Sequence, residues 1–219
     1  MNSLLKRAQA LRLSPFMEGR FWIVNIENVS LEEVEYATSF LQKDDVKRAL
    51  QFVLKKDQDR CILIQSLLKC LLGTLLNTSA KEISFQRNSF GKPYLLGTPV
   101  HFNLSHTDKK ALLGIHPTRS IGVDLEEINR NFEEDLFLLP SEKKWLSLFK
   151  TRSEGILSLW CAKEALLKAE GTGFSSNVFP CFESLEKGTK EVDILKMDQK
   201  RVYVFHEALE GYKIAVSIL

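Results

Sequence analysis

In the stretch LWCAKEALLKAEGTGF (159–174), Trp160, Glu164 and Lys168 recur every four residues. A helix would therefore set an aromatic ring, a carboxylate and an ammonium along one line. A Glu-to-Lys pair at that spacing also decorates exposed helices, so the pair alone decides nothing. A second acidic set lies upstream in IGVDLEEI (121–128). If this is a strand, Ile121, Val123 and Leu125 face one way, and Gly122, Asp124 and Glu126 face the other. Two residues of rise set the Asp124 and Glu126 carbons roughly 7 Å apart, a separation that suits two ligands of one hard cation. Glycine beside them would leave room for a ligand to approach the backbone. The competing expectation is a solvated acidic strand edge.

Two smaller pieces join these. In GKP (91–93), Gly91 and Pro93 fix a turn around Lys92. NLSH (103–106) ends a strand with small polar side chains, Ser105 among them, and the imidazole of His106. Separately, the first is a surface turn and the second a structural histidine.

The elements that must position these residues follow from periodicity. FWIVNIENV (21–29) reads as a strand, and Ser30 with Glu33 forms a capping box for a helical region running into QFVLKK. DRCILIQSLLKCLLGTLL (59–76) is apolar on most sides and reads as a buried helix. Short extended pieces follow: EISFQ, VHFNLSH, ALLGIH and IGVDLEEI. The second half repeats the order, with helices at SEKKWLSLF and EGILSLWCAKEALLKAE, then strands at PCFESLE, KEVDIL, RVYVFHEAL and YKIAVSIL. Helices grouped with runs of strands give an α+β class. HPTRS (116–120) marks the boundary, dividing residues 1–116 from 117–219.

The 219 residues include 30 basic and 28 acidic side chains, a net charge of +2. That balance excludes the broad basic footprint of a nucleic-acid-binding domain. Four cysteines without CxxC spacing read as free thiols in a reducing compartment. The N-terminal apolar run is short for a signal peptide, and no stretch approaches a membrane span; a cytoplasmic protein with no membrane partner is expected.

The ordered set GKP…FNLSH…IGVDLEEI…WCAKEALLKAEGTGF resembles the 4′-phosphopantetheinyl transferases of the Sfp type, whose motifs cover residues 91–174 densely. The resemblance implies a pseudodimer: two similar α+β halves in one chain, with the active site in the cleft between them. It implies transfer of the phosphopantetheine arm of coenzyme A to a serine of an apo acyl or peptidyl carrier protein, releasing adenosine 3′,5′-bisphosphate. Mg²⁺ is the implied ion, with Mn²⁺ as an alternative, because carboxylates without Cys or His select hard cations. By motif, Asp124, Glu126 and Glu164 hold the metal. Glu164, or a metal-bound water, takes the serine proton. Lys168 meets the pyrophosphate with Lys163 beside it, His106 and Ser105 lie near the 3′-phosphate, and Lys92 and Pro93 form the adenine-side turn. Trp160 packs the helix, and Glu142 matches an acidic position in the preceding helix. The length implies a monomer with its own cleft.

The sequence departs from the pattern at one place. The helix before GKP often carries an arginine for the 3′-phosphate, and Gln65 stands there, with Lys69 and Arg60 as substitutes. The rival expectations are another Mg²⁺-dependent phosphoryl or nucleotidyl transferase, and a catalytically decayed module that binds carrier proteins or a nucleotide.

Overall fold

The computed structural model describes residues 3–13, 17–130, 132–133, 136–173, 179–188 and 192–219. Phe174, the last residue of LWCAKEALLKAEGTGF, lies outside them, as do the first two residues of KEVDIL.

The N-terminal part runs through strands β1 (Ala8–Leu11) and β2 (Arg20–Asn25), and helices α1 (Leu31–Thr38), α2 (Lys43–Ala49) and α3 (Lys55–Leu76). The short β3 (Gln86–Arg87) and β4 (Pro93–Tyr94), then β5 (His101–His106) and β6 (Lys110–His116), complete it. The C-terminal part holds β7 (Ile121–Glu127), α4 (Pro140–Lys143), α5 (Arg152–Glu170), β8 (Ser184–Lys187), β9 (Val192–Met197), β10 (Lys200–Phe205) and β11 (Tyr212–Ile218). One antiparallel sheet has the order β1-β2-β6-β5, and the other β7-β11-β10-β9-β8. The expected α+β class, with two sheet-and-helix halves in one chain, is what the molecule shows.

Alternation decides which face goes where. On β2, Val24 packs under α3 with Leu63, Leu67 and Leu113, while Phe21 and Ile23 turn to the opposite face. There they meet Val123, Leu125, Ile214 and Val216 of the second sheet. The second sheet's other face, with Val202, Val204 and Ala215, packs on Leu159, Ala162 and Leu166 of α5. Each sheet thus has one face on its own helix and one on its neighbour. The edge strands β5 and β7 lie together, and the Val123 amide donates to the Asn103 side-chain carbonyl at 2.9 Å.

Two expectations change. The Ser30–Glu33 capping box forms, but the helix does not run on: α1 ends at Thr38, α2 at Ala49, and residues 50–54 are an exposed turn. Leu50, Phe52, Val53 and Leu54 face solvent there, so no core contact extends the helix. SEKKWLSLF gives only the four-residue α4 and a 3₁₀ turn at Lys144–Leu148. All four cysteines are free, and no helix among the described residues is long and apolar enough to cross a membrane.

Candidate active site

Strand β7 presents Asp124 and Glu126 towards α5, and both are buried, which removes the solvated-edge reading. Gly122 serves a different purpose from the one expected. A Cβ there would lie 2.0 Å from the Ala165 carbonyl oxygen, so the glycine admits the backbone of α5 rather than a ligand. That close approach brings the helix acids and strand acids into one cluster. Gly171, at φ 76°, then closes α5 in the left-handed conformation that suits glycine.

Within the cluster, Lys168 Nζ donates to Asp124 Oδ1 at 2.7 Å and to Ser105 Oγ at 3.0 Å, and lies 3.9 Å from Glu164 Oε2. Ser105 also donates to Asp124 Oδ1, at 2.9 Å. Glu126 accepts from Arg130 at 2.5 and 2.7 Å and from Trp160 Nε1 at 3.1 Å. Trp160 stacks on Phe132 with centroids 4.7 Å apart. It therefore both packs, as expected, and orients an acid.

Burial, reinforced by the neighbouring Asp124 and Glu126 charges and opposed by Lys168, pushes the Glu164 carboxyl up to about 7. Burial and Asp124 likewise raise Glu126, against Arg130 and Trp160. Burial opposes the charge on Lys168, but Asp124 and Glu164 outweigh it and raise the group above its ordinary range. These are the marks of several carboxylates crowded around too little positive charge.

Among the described residues, no three His, Cys, Asp or Glu side chains are grouped closely enough to hold a metal ion as they stand. Asp124 Oδ2 is nevertheless buried with no hydrogen-bond partner, and the acids around it offer only oxygen. That donor set fits Mg²⁺, provided Arg130 releases Glu126.

A cavity of about 720 Å³ opens beside the cluster, with Glu126, Glu127, Asn129 and Arg130 on one wall. The α3 residues Arg60, Cys61 and Gln65 line the other, with His106 and Asp108 at its end. Both Arg60 and Gln65 line it. Arg60 is spoken for by Asp57 at 3.3 Å and Asp108 at 3.0 Å. Lys69 is elsewhere, fully buried against Asp45. Two arginines that the sequence did not single out bear on Cys61 of that wall instead. Arg48, in the last turn of α2, and Arg87, ahead of the GKP turn, both act on the thiol of Cys61. Burial and the Arg48 charge lower the Arg87 guanidinium. The two like charges oppose each other, and a bound anion would relieve that repulsion. The only sequence cue was a basic residue four positions before Gly91.

Two expected ligand residues take other roles. Lys163 is fully buried on the far side of α5, donating to Glu142 at 2.8 and 2.9 Å and to the Pro180 carbonyl at 2.5 Å. The Phe182 amide completes that nest on Glu142. Lys92 points away from the cavity and donates to Ser120 Oγ, the Ile121 carbonyl and the Ala169 carbonyl at 3.0–3.2 Å. Burial without a carboxylate lowers it to about 8. With Asn88 Nδ2 on the Gly171 carbonyl at 2.8 Å, it latches the GKP turn to the end of α5. Pro93 pairs in register with Arg87 and only shapes that turn.

Two family models match the chain: "4'-phosphopantetheinyl transferase, N-terminal" over residues 28–117, and "4'-phosphopantetheinyl transferase superfamily" over residues 120–217. The 4'-phosphopantetheinyl transferase HetI of Nostoc sp. is 31% identical over 168 residues, which cover 72% of this chain and 70% of that protein. The chain belongs to the 4′-phosphopantetheinyl transferase family. It is similar also to the 4'-phosphopantetheinyl transferase gsp of Aneurinibacillus migulanus, 29% identical over 84% of this chain and 78% of that protein. The L-aminoadipate-semialdehyde dehydrogenase-phosphopantetheinyl transferase of Xenopus laevis is 25% identical over 81% of this chain and 67% of its own length. The transferase is an enzyme, and its two matched segments meet at the linker between the two sheets.

Proposed function

We propose that the enzyme transfers the phosphopantetheine arm of coenzyme A to a serine of an apo acyl or peptidyl carrier protein. The serine oxygen bonds to the pantetheine-side phosphorus, and the bond from that phosphorus to the bridging oxygen breaks. Adenosine 3′,5′-bisphosphate leaves with the bridging oxygen, and the serine proton passes to Glu164. Asp124, Glu126 and Glu164 would hold Mg²⁺, which when bound supplies positive charge to the pyrophosphate. Lys168, fixed by Asp124 and Ser105, neutralises charge at the same place, and Trp160 orients Glu126. Arg48, Arg87 and His106 receive the 3′-phosphate, while Lys92 holds the GKP turn against α5 for the adenine. The functional halves are residues 1–116 and 117–219, working as a cytoplasmic monomer with both cavity walls from one chain.

The observation that carries this reading is the arrangement of charge across one cavity. A crowded acid cluster with one embedded lysine stands on one side, and on the other wall Arg60 lines the cavity while Cys61 feels the charges of Arg48 and Arg87. The test mixes the protein with coenzyme A, Mg²⁺ and several apo carrier proteins and reads intact masses. A metal-dependent gain of one phosphopantetheine on the carrier serine is expected, and no transfer to any carrier by folded protein overturns the proposal.

A further inference from the structure

A second cavity, of about 650 Å³, lies away from the acid cluster where the linker between the two parts meets the second sheet. Its volume falls within the roughly 300–1,000 Å³ usual for small-molecule sites. Its floor is the face of β9, β10 and β11 that carries Ile194, Phe205 and Ile218, and Tyr203 stands on the same face. The polar groups come from His116, at the end of β6, and from Arg119 and Arg201.

His116 is fully buried. Its Nδ1 accepts the backbone amides of Thr118 at 3.2 Å and Arg119 at 2.9 Å, so the proton of the neutral ring sits on Nε2. Burial and the Arg119 charge both keep the ring neutral. That Nε2 has no hydrogen-bond partner; the nearest carboxylate, on the exposed Glu18, is 3.9 Å away. A buried donor without an acceptor is a cost that a bound acceptor removes. Arg119 spends Nε and Nη2 on the Leu219 and Ile218 carbonyls and still brings its charge. Among the described residues, the Arg201 guanidinium takes no hydrogen bond or ion pair. Two cations and an orphan donor thus stand against the single carboxylate of Glu18, over an apolar floor.

We propose that this cavity binds a small organic anion with an apolar body, such as a medium-chain carboxylate, at a site separate from the coenzyme A cavity. The head takes the His116 and arginine end, and the body lies on the sheet. Because the walls come from Met17 and Glu18 on one part and β9–β11 on the other, a bound anion would also brace the two parts against each other.

The test titrates octanoate into the full-length ¹⁵N-labelled protein and follows amide shifts, with octanol, octylamine and acetate as controls. Saturable shifts at residues 116–119 and on β9–β11 are expected, with octanoate at least about fivefold tighter than octanol or octylamine. Arg201→Glu should weaken octanoate at least about fivefold, and Glu18→Gln should tighten it about two- to threefold. Both side chains are exposed, so neither variant endangers the fold. His116→Gln adds a third reading if it folds. Equal affinity for octanol, indifference to Arg201→Glu, shifts confined to the coenzyme A cavity, or no saturation by millimolar octanoate would each overturn the proposal. None of these readouts depends on transferase activity.

Discussion

Two lysines five residues apart on α5 sit in opposite surroundings. Lys163 lies in a closed nest, where Glu142 and the Pro180 carbonyl satisfy its ammonium, and Glu142 in turn accepts the Leu139 and Phe182 amides. Lys168 lies in an open one. It shares Asp124 with Ser105, leaves Asp124 Oδ2 without a partner, and stands beside a Glu164 raised to about 7. Both are ionic groups with carboxylate partners, Lys163 fully buried and Lys168 half-buried, yet only the second has unmet demand for positive charge. A saturated network holds structure, and an unsaturated one has capacity left for a ligand.

The sharpest way to break that contrast is to delete acids from the open nest. Asp124→Ala should lower kcat/KM by about a thousandfold or more, with the melting temperature little changed. Near-full activity at saturating Mg²⁺ would mean the cluster is not the reacting site. In the closed nest, Lys163→Met should do the reverse. It strands a buried carboxylate and should cost about 3–5 kcal/mol of stability, read by denaturant unfolding, while the protein that remains folded keeps its kcat/KM. Activity loss without destabilisation would return Lys163 to the ligand set.

Lys168→Ala should cost about 1.5–3 kcal/mol of transition-state stabilisation, roughly ten- to a hundredfold in kcat/KM. An unchanged rate would make Lys168 a mere partner of its carboxylates. The open nest also has a pH signature. Burial pushes the Glu164 carboxyl up to about 7 in the folded protein, from 4.5 for a glutamate free in water. The folded state therefore binds the extra proton between these values, and stability falls as pH rises through that window. Glu164→Gln removes the penalty, so the metal-free variant should exceed wild type by about 1–3 kcal/mol above pH 7 and match it below pH 4.5. Mg²⁺ should narrow the gap by stabilising wild type more. A constant difference across pH would reject the raised carboxyl.

The smallest effect tests the arginines that act on Cys61 of the opposite wall. Neutralising Arg48 and Arg87 together, each to Gln, should reduce discrimination between coenzyme A and its 3′-dephospho form by about 1–2 kcal/mol in kcat/KM. Gln65→Arg should change that ratio less than the double variant does. The reverse ranking would place the 3′-phosphate on α3.

The residues themselves determined the local half of this arrangement. Spacing of four put Trp160, Glu164 and Lys168 on one line of a helix, and alternation put Asp124 and Glu126 on one face of a strand. Both follow from backbone periodicity, which depends only on neighbours in the chain. The buried character of α3 was legible for the same reason, as were the two successive sets of helices and strands. The stop after Ala49 was not, because the apolar residues of 50–54 read as helix until packing leaves them without a core.

Tertiary structure alone decided the rest. Lys163 and Lys168 look alike in the sequence, and only the elements packed around α5 send one to Glu142 and the other to Asp124. The glycine of IGVDLEEI looked like space for a ligand, until the fold filled that space with α5. Arg48 and Arg87 act on Cys61 from separate elements. Lys92 crosses 77 residues of sequence to reach the Ala169 carbonyl. Contacts of that range depend on which faces stack, and periodicity cannot specify the partner across the stack. The chemistry available was set locally, and the packing of β7 between β5 and α5 selected which charges could use it.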